Sequence, residues 1–238
     1  MSTPIDHNKL LQKIAKERLK PYGIVQKGQS RTFLYDKDWY TIVIEFQPSS
    51  RTKGTYLNIG IDFNFYPRDY FAFGYGYREK GFEEFKDEEQ FHKLVINLCE
   101  LSIQRVQELE QKCIDVWTAL KTVEKEKAHD SWRIYEVAVL HILTLNFDQA
   151  RKHLFQLSKT KCKYDWEMER KKAADELLDW LQKEPTNLDK IKSIINKTRQ
   201  LKKLPIVPLD NLTERKTLPN STSQKTGRMW LKKLLGIE

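Results

Sequence analysis

The stretch TYLNIGIDFNFY, residues 55–66, has the most regular alternation of side chains in the sequence. Every second residue is large and apolar, and most of the residues between them are polar or small. A period of two places successive side chains on opposite faces of a β-strand. We therefore predict a strand that buries one face, and that face carries Leu57, Ile59, Ile61, Phe63 and Phe65.

Three further segments have the composition of strands. Residues 32–35 and 39–47 are separated by a turn of hairpin length, and residues 70–77 alternate aromatic side chains with others that are mostly small. Apolar residues at helical spacing precede this region and resume after Asp87. The predicted fold class is α+β. An N-terminal helix leads into a four-stranded, mostly antiparallel sheet, a long helix covers one face of the sheet, and an all-helical extension follows.

Glycine and proline divide the chain into regions. Neither residue occurs between Gly81 and Pro185, which favours successive helices joined by tight turns. Prolines and small polar residues return after Leu204 and are typical of a linker. The predicted organisation is an α+β head at residues 1–110, a helical body at 111–203, a flexible linker at 204–226 and a short amphipathic tail at 227–238.

Composition limits the class of protein. The 238 residues are 39% hydrophobic and 32% charged, which is typical neither of a disordered chain nor of a membrane-spanning one. Three cysteines, Cys99, Cys113 and Cys162, are too few for a disulfide framework, and they favour a reducing, cytoplasmic location. The net charge of +9 is spread over both ends of the chain, so it favours an acidic partner only weakly.

Patterns that carry catalytic or metal chemistry are missing from the sequence. The five histidines include no pair at i, i+4 spacing, and no Cys-x-x-Cys, Gly-x-Ser-x-Gly or glycine-rich phosphate loop occurs. We therefore expect a protein that is not an enzyme, with no catalytic, metal-binding or cofactor-binding residues and no cofactor.

The polar face of the predicted sheet is the candidate interaction face. It should carry Trp39, Thr41, Glu45, Gln47, Tyr56, Asn58, Asp62, Asn64 and Tyr70. Gly60, Gly74 and Gly76 leave a shallow floor there, and strands disfavour glycine unless something packs close to the backbone. One interpretation is a platform for a partner loop, a peptide or unstacked bases. The other, which we weight more heavily, is a face that is solvated or covered by the protein's own later helices.

The last segment of the chain is apolar and basic, and we expect it to dock on a surface. On a helix its large apolar residues lie close together, and they are Met229, Trp230, Leu231, Leu234 and Leu235. A helix of under three turns is too short to be stable alone. Three surfaces compete for it, in decreasing order of weight: another protein, this protein's own body, and a membrane surface.

Two groups of residues around the strands are similar to a known family. The first comprises Glu45, Phe46, Gln47, Pro48, Ser49 and Ser50, then Lys53, Gly54, Thr55, Tyr56, Leu57, Asn58, Ile59 and Gly60. The second comprises Asp69, Tyr70 and Phe71, then residues 75–78, Gly81, Phe82 and Phe85. Over residues 8–110 the chain resembles the bacterial α+β domains of domain-of-unknown-function family four-three-zero-four. The resemblance implies the fold and a bacterial protein, and it implies no activity.

A second resemblance covers residues 132–157. Small residues and a turn there are similar to a helical hairpin of the tetratricopeptide kind, namely Ala138, Leu145, Asn146, Phe147, Asp148, Ala150, Leu154 and Leu157. The alternative is an ordinary antiparallel helix pair.

These observations favour a protein–protein interaction module that uses the polar sheet face, the helical body and the tail. The alternative is a single-stranded nucleic-acid-binding protein that uses the sheet aromatics and a basic helix at residues 190–203. The basic residues of that helix are Lys190, Lys192, Lys197, Arg199, Lys202 and Lys203. The favoured partner is thus another protein, and membrane contact through the tail has the least weight. No transmembrane segment is expected.

Overall fold

A single antiparallel sheet organises the first third of the protein. The computed structural model describes residues 6–125, 130–183 and 188–216, and within them the sheet has five strands in the order β1-β2-β3-β4-β5. The strands are β1 Val25–Gln26, β2 Thr32–Lys37, β3 Tyr40–Gln47, β4 Gly54–Phe63 and β5 Tyr75–Glu84. The α+β prediction is confirmed. The sheet gains a fifth strand over the predicted four, because the two residues of β1 pair with β2.

Seven α-helices surround the sheet in the described residues. They are α1 His7–Leu19, α2 Glu88–Lys112, α3 Val116–Glu124, α4 Ser131–Leu143, α5 Phe147–Ser158, α6 Asp165–Lys183 and α7 Asp189–Leu201. Aspartates at four of the N-termini accept backbone N–H groups that lack an intrahelical partner. At α2, for example, Asp87 Oδ1 accepts the N–H of Gln90 at 2.8 Å. The predicted start of the long helix is therefore confirmed.

The apolar face of the sheet is the core of the head. Ile42 and Ile44 of β3 and Ile59 and Ile61 of β4 are fully buried there. Helix α2 packs on this face, and α1 packs along α2. Two helices therefore cover the face, where one was predicted. The period-two pattern therefore predicted the buried face correctly, because alternating apolar and polar residues are typical of a half-buried strand.

The segment between β4 and β5 is not a strand over residues 70–74, contrary to the prediction. Residues 64–74 leave the sheet and cross back over its polar face. The close approach depends on two glycines that face each other on β4 and β5, Gly60 and Gly76. A Cβ added at Gly60 would lie 2.6 Å from the Cα of Gly76 and 3.1 Å from the ring of Phe73. The predicted reason for glycine here is correct, and the group that packs on the backbone is the protein's own Phe73.

Helix α4 is the centre of the helical body. Twelve of its thirteen residues are buried, because α3, α5, α6 and the sheet side of the molecule surround it. A turn with Leu145 in the left-handed conformation, φ 62°, joins α4 to α5. The predicted helical hairpin is present, while its likeness to a tetratricopeptide repeat stays a prediction.

The body and the segment that follows α7 are tied to the head. Arg199 at the end of α7 forms two hydrogen bonds of 2.7 Å to the carboxylate of Asp36 on β2. The flexible linker predicted at 204–226 is wrong for residues 204–216, because Leu209 and Leu212 are buried and Lys216 N donates to Asp115 at 3.0 Å. Residues 217–226 and the predicted tail lie outside the described residues. Among the described helices, none is long and apolar enough to cross a membrane.

Replacing Gly60 with alanine should destabilise the protein strongly. The new Cβ would meet the backbone of β5, which cannot move without disturbing the strand pairing. Overpacking of this kind costs about 1–3 kcal/mol, and urea unfolding would measure it. Gly81→Ala is the matched control, since nothing lies within 4 Å of its Cβ position. Its free energy of unfolding should stay within about 0.5 kcal/mol of the wild type. Equal stabilities for the two variants would contradict the close approach of Gly60 to the backbone of β5.

Candidate functional site

One end of the polar sheet face is closed by the protein itself. Asp62, Thr41 and Asn64 are fully buried, so they do not form the open interaction face that the sequence predicted. The Asp62 carboxylate forms an ion pair with Arg68 and accepts a hydrogen bond from Lys202 Nζ at 2.8 Å and from the N–H of Ala72 at 3.2 Å. Segment 64–74 and the end of α7 therefore cover this half of the face, as the second interpretation allowed.

The other end of the polar face remains half-exposed, but its polar groups bind one another. Asn58 Nδ2 donates to Glu45 Oε2 at 2.9 Å and to Gln47 Oε1 at 3.0 Å. Arg78 donates to Gln47 Oε1 at 2.9 Å, and its guanidinium lies 4.3 Å from the ring centroid of Tyr56. This network leaves few unpaired polar groups to recognise a ligand.

The two remaining residues of the predicted face lie elsewhere. Trp39 stacks on Phe63 and Phe65 with centroid distances of 5.8 and 5.9 Å, and it is buried. Its assignment to the interaction face is therefore wrong, because the turn before β3 directs it into the core. Tyr70 belongs to segment 64–74 and is 51% exposed.

A cluster of buried charges lies between the sheet and the helical body. Its members are the carboxyl groups of Asp62 and Glu136 and the cations of Arg68, Arg133, Arg170 and Lys202, all buried. Arg133 donates to the carbonyl oxygen of Gly74 at 2.6 Å. Glu136 lies directly beneath Gly74, since a Cβ at that position would be 2.9 Å from its Oε1. Four cations against two carboxyl groups give this cluster an excess of positive charge.

Burial moves the pKa values of Glu136 and Lys202 towards 7. Desolvation raises the pKa of Glu136 to about 7, against the opposing effect of Arg133 and Arg68. Desolvation also lowers the pKa of Lys202 to about 8, against the opposing effect of Asp62. The charged form of each group loses hydration on burial, which is the cause in both cases.

Aromatic rings surround the guanidinium of Arg170. Its Cζ lies 3.1 Å from the ring centroid of Trp132, 3.7 Å from that of Tyr66 and 5.4 Å from that of Tyr135. Contacts between a cation and the negative faces of aromatic rings stabilise a buried guanidinium. Arg170 thereby fixes the position of Trp132 from the interior.

A pocket of about 480 Å³ opens to solvent above the charge cluster. We call it the aromatic pocket. Its lining includes Arg68, Tyr70, Phe73, Gly74, Trp132 and Trp166. The Arg68 guanidinium lies 4.3 Å from the Trp132 ring and 5.5 Å from the Tyr70 ring. The volume falls within the usual range of ligand sites. A larger depression of about 630 Å³ between β5 and α2 is lined by charged, amide and leucine side chains, without a ring.

Sequence reasoning missed the aromatic pocket because its parts are distant in sequence. Residues 70–74 were assigned to a strand, and Trp132 and Trp166 were treated only as members of helices. Trp132 and Trp166 lie in the first turns of α4 and α6, but Trp117 lies equally early in α3, so this position does not single them out. No local pattern shows that these turns meet segment 64–74.

The basic helix at 190–203 is only partly available to a ligand. Arg199 and Lys202 are buried in ion pairs with Asp36 and Asp62. Lys192 lies 3.8 Å from Asp210. The predicted use of this whole helix for phosphate contacts is therefore wrong for Arg199 and Lys202. Within the described ranges, no three His, Cys, Asp or Glu side chains are placed to hold a metal ion.

Comparison of the chain with protein-family models, with curated proteins and with solved structures finds no match. The resemblance to the bacterial domain family, over residues 8–110, therefore stays a prediction. The functional proposal below rests on the geometry of the site.

Replacing Glu136 with glutamine should make stability depend less on pH. The folded protein holds the Glu136 proton more tightly than the unfolded chain, whose pKa is near 4.5, because the folded pKa is about 7. The wild type therefore loses stability relative to Glu136→Gln as pH rises through this window, by about 3 kcal/mol in total. Chemical denaturation of both proteins across the pH series measures the difference. A difference that does not change with pH would contradict the buried position of this carboxyl group.

Proposed function

We propose that this protein is a binding protein rather than an enzyme, and that it holds its partner at an aromatic surface. We define this surface as Tyr70, Phe73, Trp132, Tyr164 and Trp166. The observation that carries the proposal is the exposure of large rings around one pocket: Tyr70 is 51% exposed and Trp166 42% exposed. Contiguous exposed apolar groups of this kind mark interaction sites on soluble proteins.

The rings are held in place before any partner arrives. Arg68 contacts the rings of Tyr70 and Trp132, and its own position is set by the ion pair with buried Asp62. Trp166 stacks on Trp132 with a centroid distance of 6.4 Å and an interplanar angle of 20°. A surface that is already ordered loses less conformational entropy on binding. The aromatic side chains are held in position by Arg68 and its buried ion pair, and this rigidity supports a binding role.

The position of Glu136 also favours binding over catalysis. A carboxyl group with a pKa near 7 would suit proton transfer at neutral pH. Its side chain is buried beneath Gly74, however, and does not line the aromatic pocket. Four of the eight residues that line the pocket are aromatic, and its carboxylate, Asp130, caps α4 by accepting the N–H of Arg133 at 2.9 Å.

Both classes of partner expected from the sequence, another protein and a single-stranded nucleic acid, stay proposals. The tail residues Met229, Trp230, Leu231, Leu234 and Leu235 lie outside the described residues, so their docking also stays a prediction. The half-closed sheet face no longer supports the interaction role that was predicted for it. The aromatic surface replaces it as the proposed place of contact.

A double substitution, Tyr70→Ala with Trp166→Ala, should abolish most partner capture and leave the fold intact. Both side chains are largely exposed, so their loss removes binding area rather than core. We expect at least about a tenfold loss of captured material, as is usual for aromatic hot spots. Full-length protein would be incubated with extract of its native host, and bound protein and nucleic acid would both be quantified.

Tyr22→Ala is the matched control for this experiment, because Tyr22 is a 39% exposed tyrosine outside the pocket lining. It should capture as much as the wild type. Equal capture by the wild type and the double variant, at equal melting temperatures, would refute the aromatic surface as the binding site.

A further inference from the structure

Lysines and aromatic residues lie close together in the connection between α5 and α6. The segment Lys159-Thr-Lys-Cys-Lys-Tyr-Asp-Trp166 carries three exposed lysines, which are Lys159, Lys161 and Lys163. Just before it, Phe155 of α5 is 56% exposed, and Lys159 Nζ lies 5.1 Å from its ring centroid.

The backbone of this connection is fixed at the start of α6. Glu167 Oε2 accepts the N–H of Lys163 at 2.6 Å and the N–H of Tyr164 at 3.2 Å. The N–H groups of Glu167 and Met168 in turn donate to the carbonyl oxygen of Tyr164. The Glu167 carboxylate is thereby engaged with the backbone, and it holds Tyr164 in register with Trp166.

Three rings of the aromatic surface form a nearly parallel series. Tyr164 and Trp166 have centroids 6.1 Å apart and an interplanar angle of 9°. Trp166 and Trp132 continue the series at 6.4 Å and 20°. Tyr164 is 60% exposed and Trp166 42% exposed. Exposed aromatic rings are platforms on which unstacked bases bind, since every base offers a flat π-face.

The local charge matches a polyanion. Residues 159–172 contain six basic side chains, of which Arg170 is buried, and three acidic ones, of which Glu167 caps the connection. Lysine is depleted in protein–protein interfaces, whereas phosphate contacts require it. The combination of exposed lysines and exposed rings therefore favours nucleic acid over a protein partner at this surface.

We propose that the α5–α6 connection binds single-stranded nucleic acid, with bases stacked on Tyr164 and Trp166 and phosphates held by Lys159, Lys161 and Lys163. This inference rests on the proposed function, because it names the ligand class of the same aromatic surface. The contacts are to ring faces and phosphates, so binding tolerates most sequences and weakens with salt. Segment 64–74 supplies the far wall of the site through Tyr70 and Phe73.

Fluorescence anisotropy with a labelled oligothymidylate tests the proposal. Full-length protein would be titrated into an oligonucleotide of about 12 residues at several salt concentrations between about 50 and 200 mM. Trp166→Ala and Tyr164→Ala should each weaken binding about tenfold or more at every salt concentration. The triple variant Lys159→Gln, Lys161→Gln, Lys163→Gln should reduce the slope of log K against log salt by about 2.

Two matched controls separate these effects from general changes. Tyr22→Ala removes an exposed ring elsewhere, and Lys93→Gln removes an exposed cation on α2, and both should bind as the wild type does. Absence of salt-sensitive binding by the wild type would overturn the proposal. So would equal binding by Trp166→Ala and Tyr22→Ala at matched melting temperatures.

The same variants show whether the nucleic-acid proposal alone is wrong or whether the aromatic surface is not a binding site at all. If the wild type binds no oligonucleotide while Trp166→Ala still loses captured protein, the nucleic-acid proposal is overturned and the aromatic surface stands. If Trp166→Ala changes neither oligonucleotide binding nor capture, both proposals are overturned.

Discussion

The buried carboxylate of Asp62 is the constraint on which the rest of the structure depends. An aspartate without solvent must have its charge compensated, because an unpaired buried carboxylate is very costly. Two separate parts of the chain meet this requirement. Segment 64–74 supplies Arg68 and the N–H of Ala72, and the end of α7 supplies Lys202, which lies 140 positions further along. The same contacts bring segment 64–74 and the end of α7 onto the sheet, and they join the head to the helical body.

Residue periodicity could predict one side of the sheet and not the other. The apolar faces of β3 and β4 were predicted correctly, because the alternation of apolar residues is a local property of the sequence. Ile42, Ile44, Ile59 and Ile61 are the buried residues of these faces. The start of α2 was also correct, since Asp87 caps its own helix. The polar face was misjudged because Lys202, which covers it, is far away in sequence. A polar residue that faces water and one that faces a buried cation have the same local pattern.

Gly60 and Gly76 also show that the sequence alone does not identify the group that contacts a given residue. Their presence in strands indicated that a group packs against the backbone, and that physical inference was correct. Sequence alone could not distinguish a partner from the protein's own chain, and Phe73 occupies the place. Trp132 and Trp166 were missed for a related reason, because they meet Tyr70, which was predicted on the sheet face, only after the sheet, α4 and α6 have packed.

The proposed binding role follows from how this interior supports the surface. Asp62 positions Arg68, Arg68 contacts Tyr70 and Trp132, and Arg170 fixes Trp132 from the opposite direction. A buried ionic cluster is in general weak support for stability, and its better-supported use is to specify one arrangement. Here the arrangement that it specifies is a set of ordered, exposed rings.

A double-mutant cycle on Asp62 and Lys202 tests this central claim most directly. Free energies of unfolding would be measured for the wild type, Asp62→Ala, Lys202→Ala and the double variant. The two charges are buried together at 2.8 Å. Asp62→Ala therefore leaves Lys202 without its ion-pair partner, and Lys202→Ala leaves Asp62 with Arg68 as its remaining ion-pair partner. The account predicts a coupling energy of about 2 kcal/mol or more. A coupling below about 0.5 kcal/mol, the level seen for distant sites, would show that Lys202 does not close the sheet.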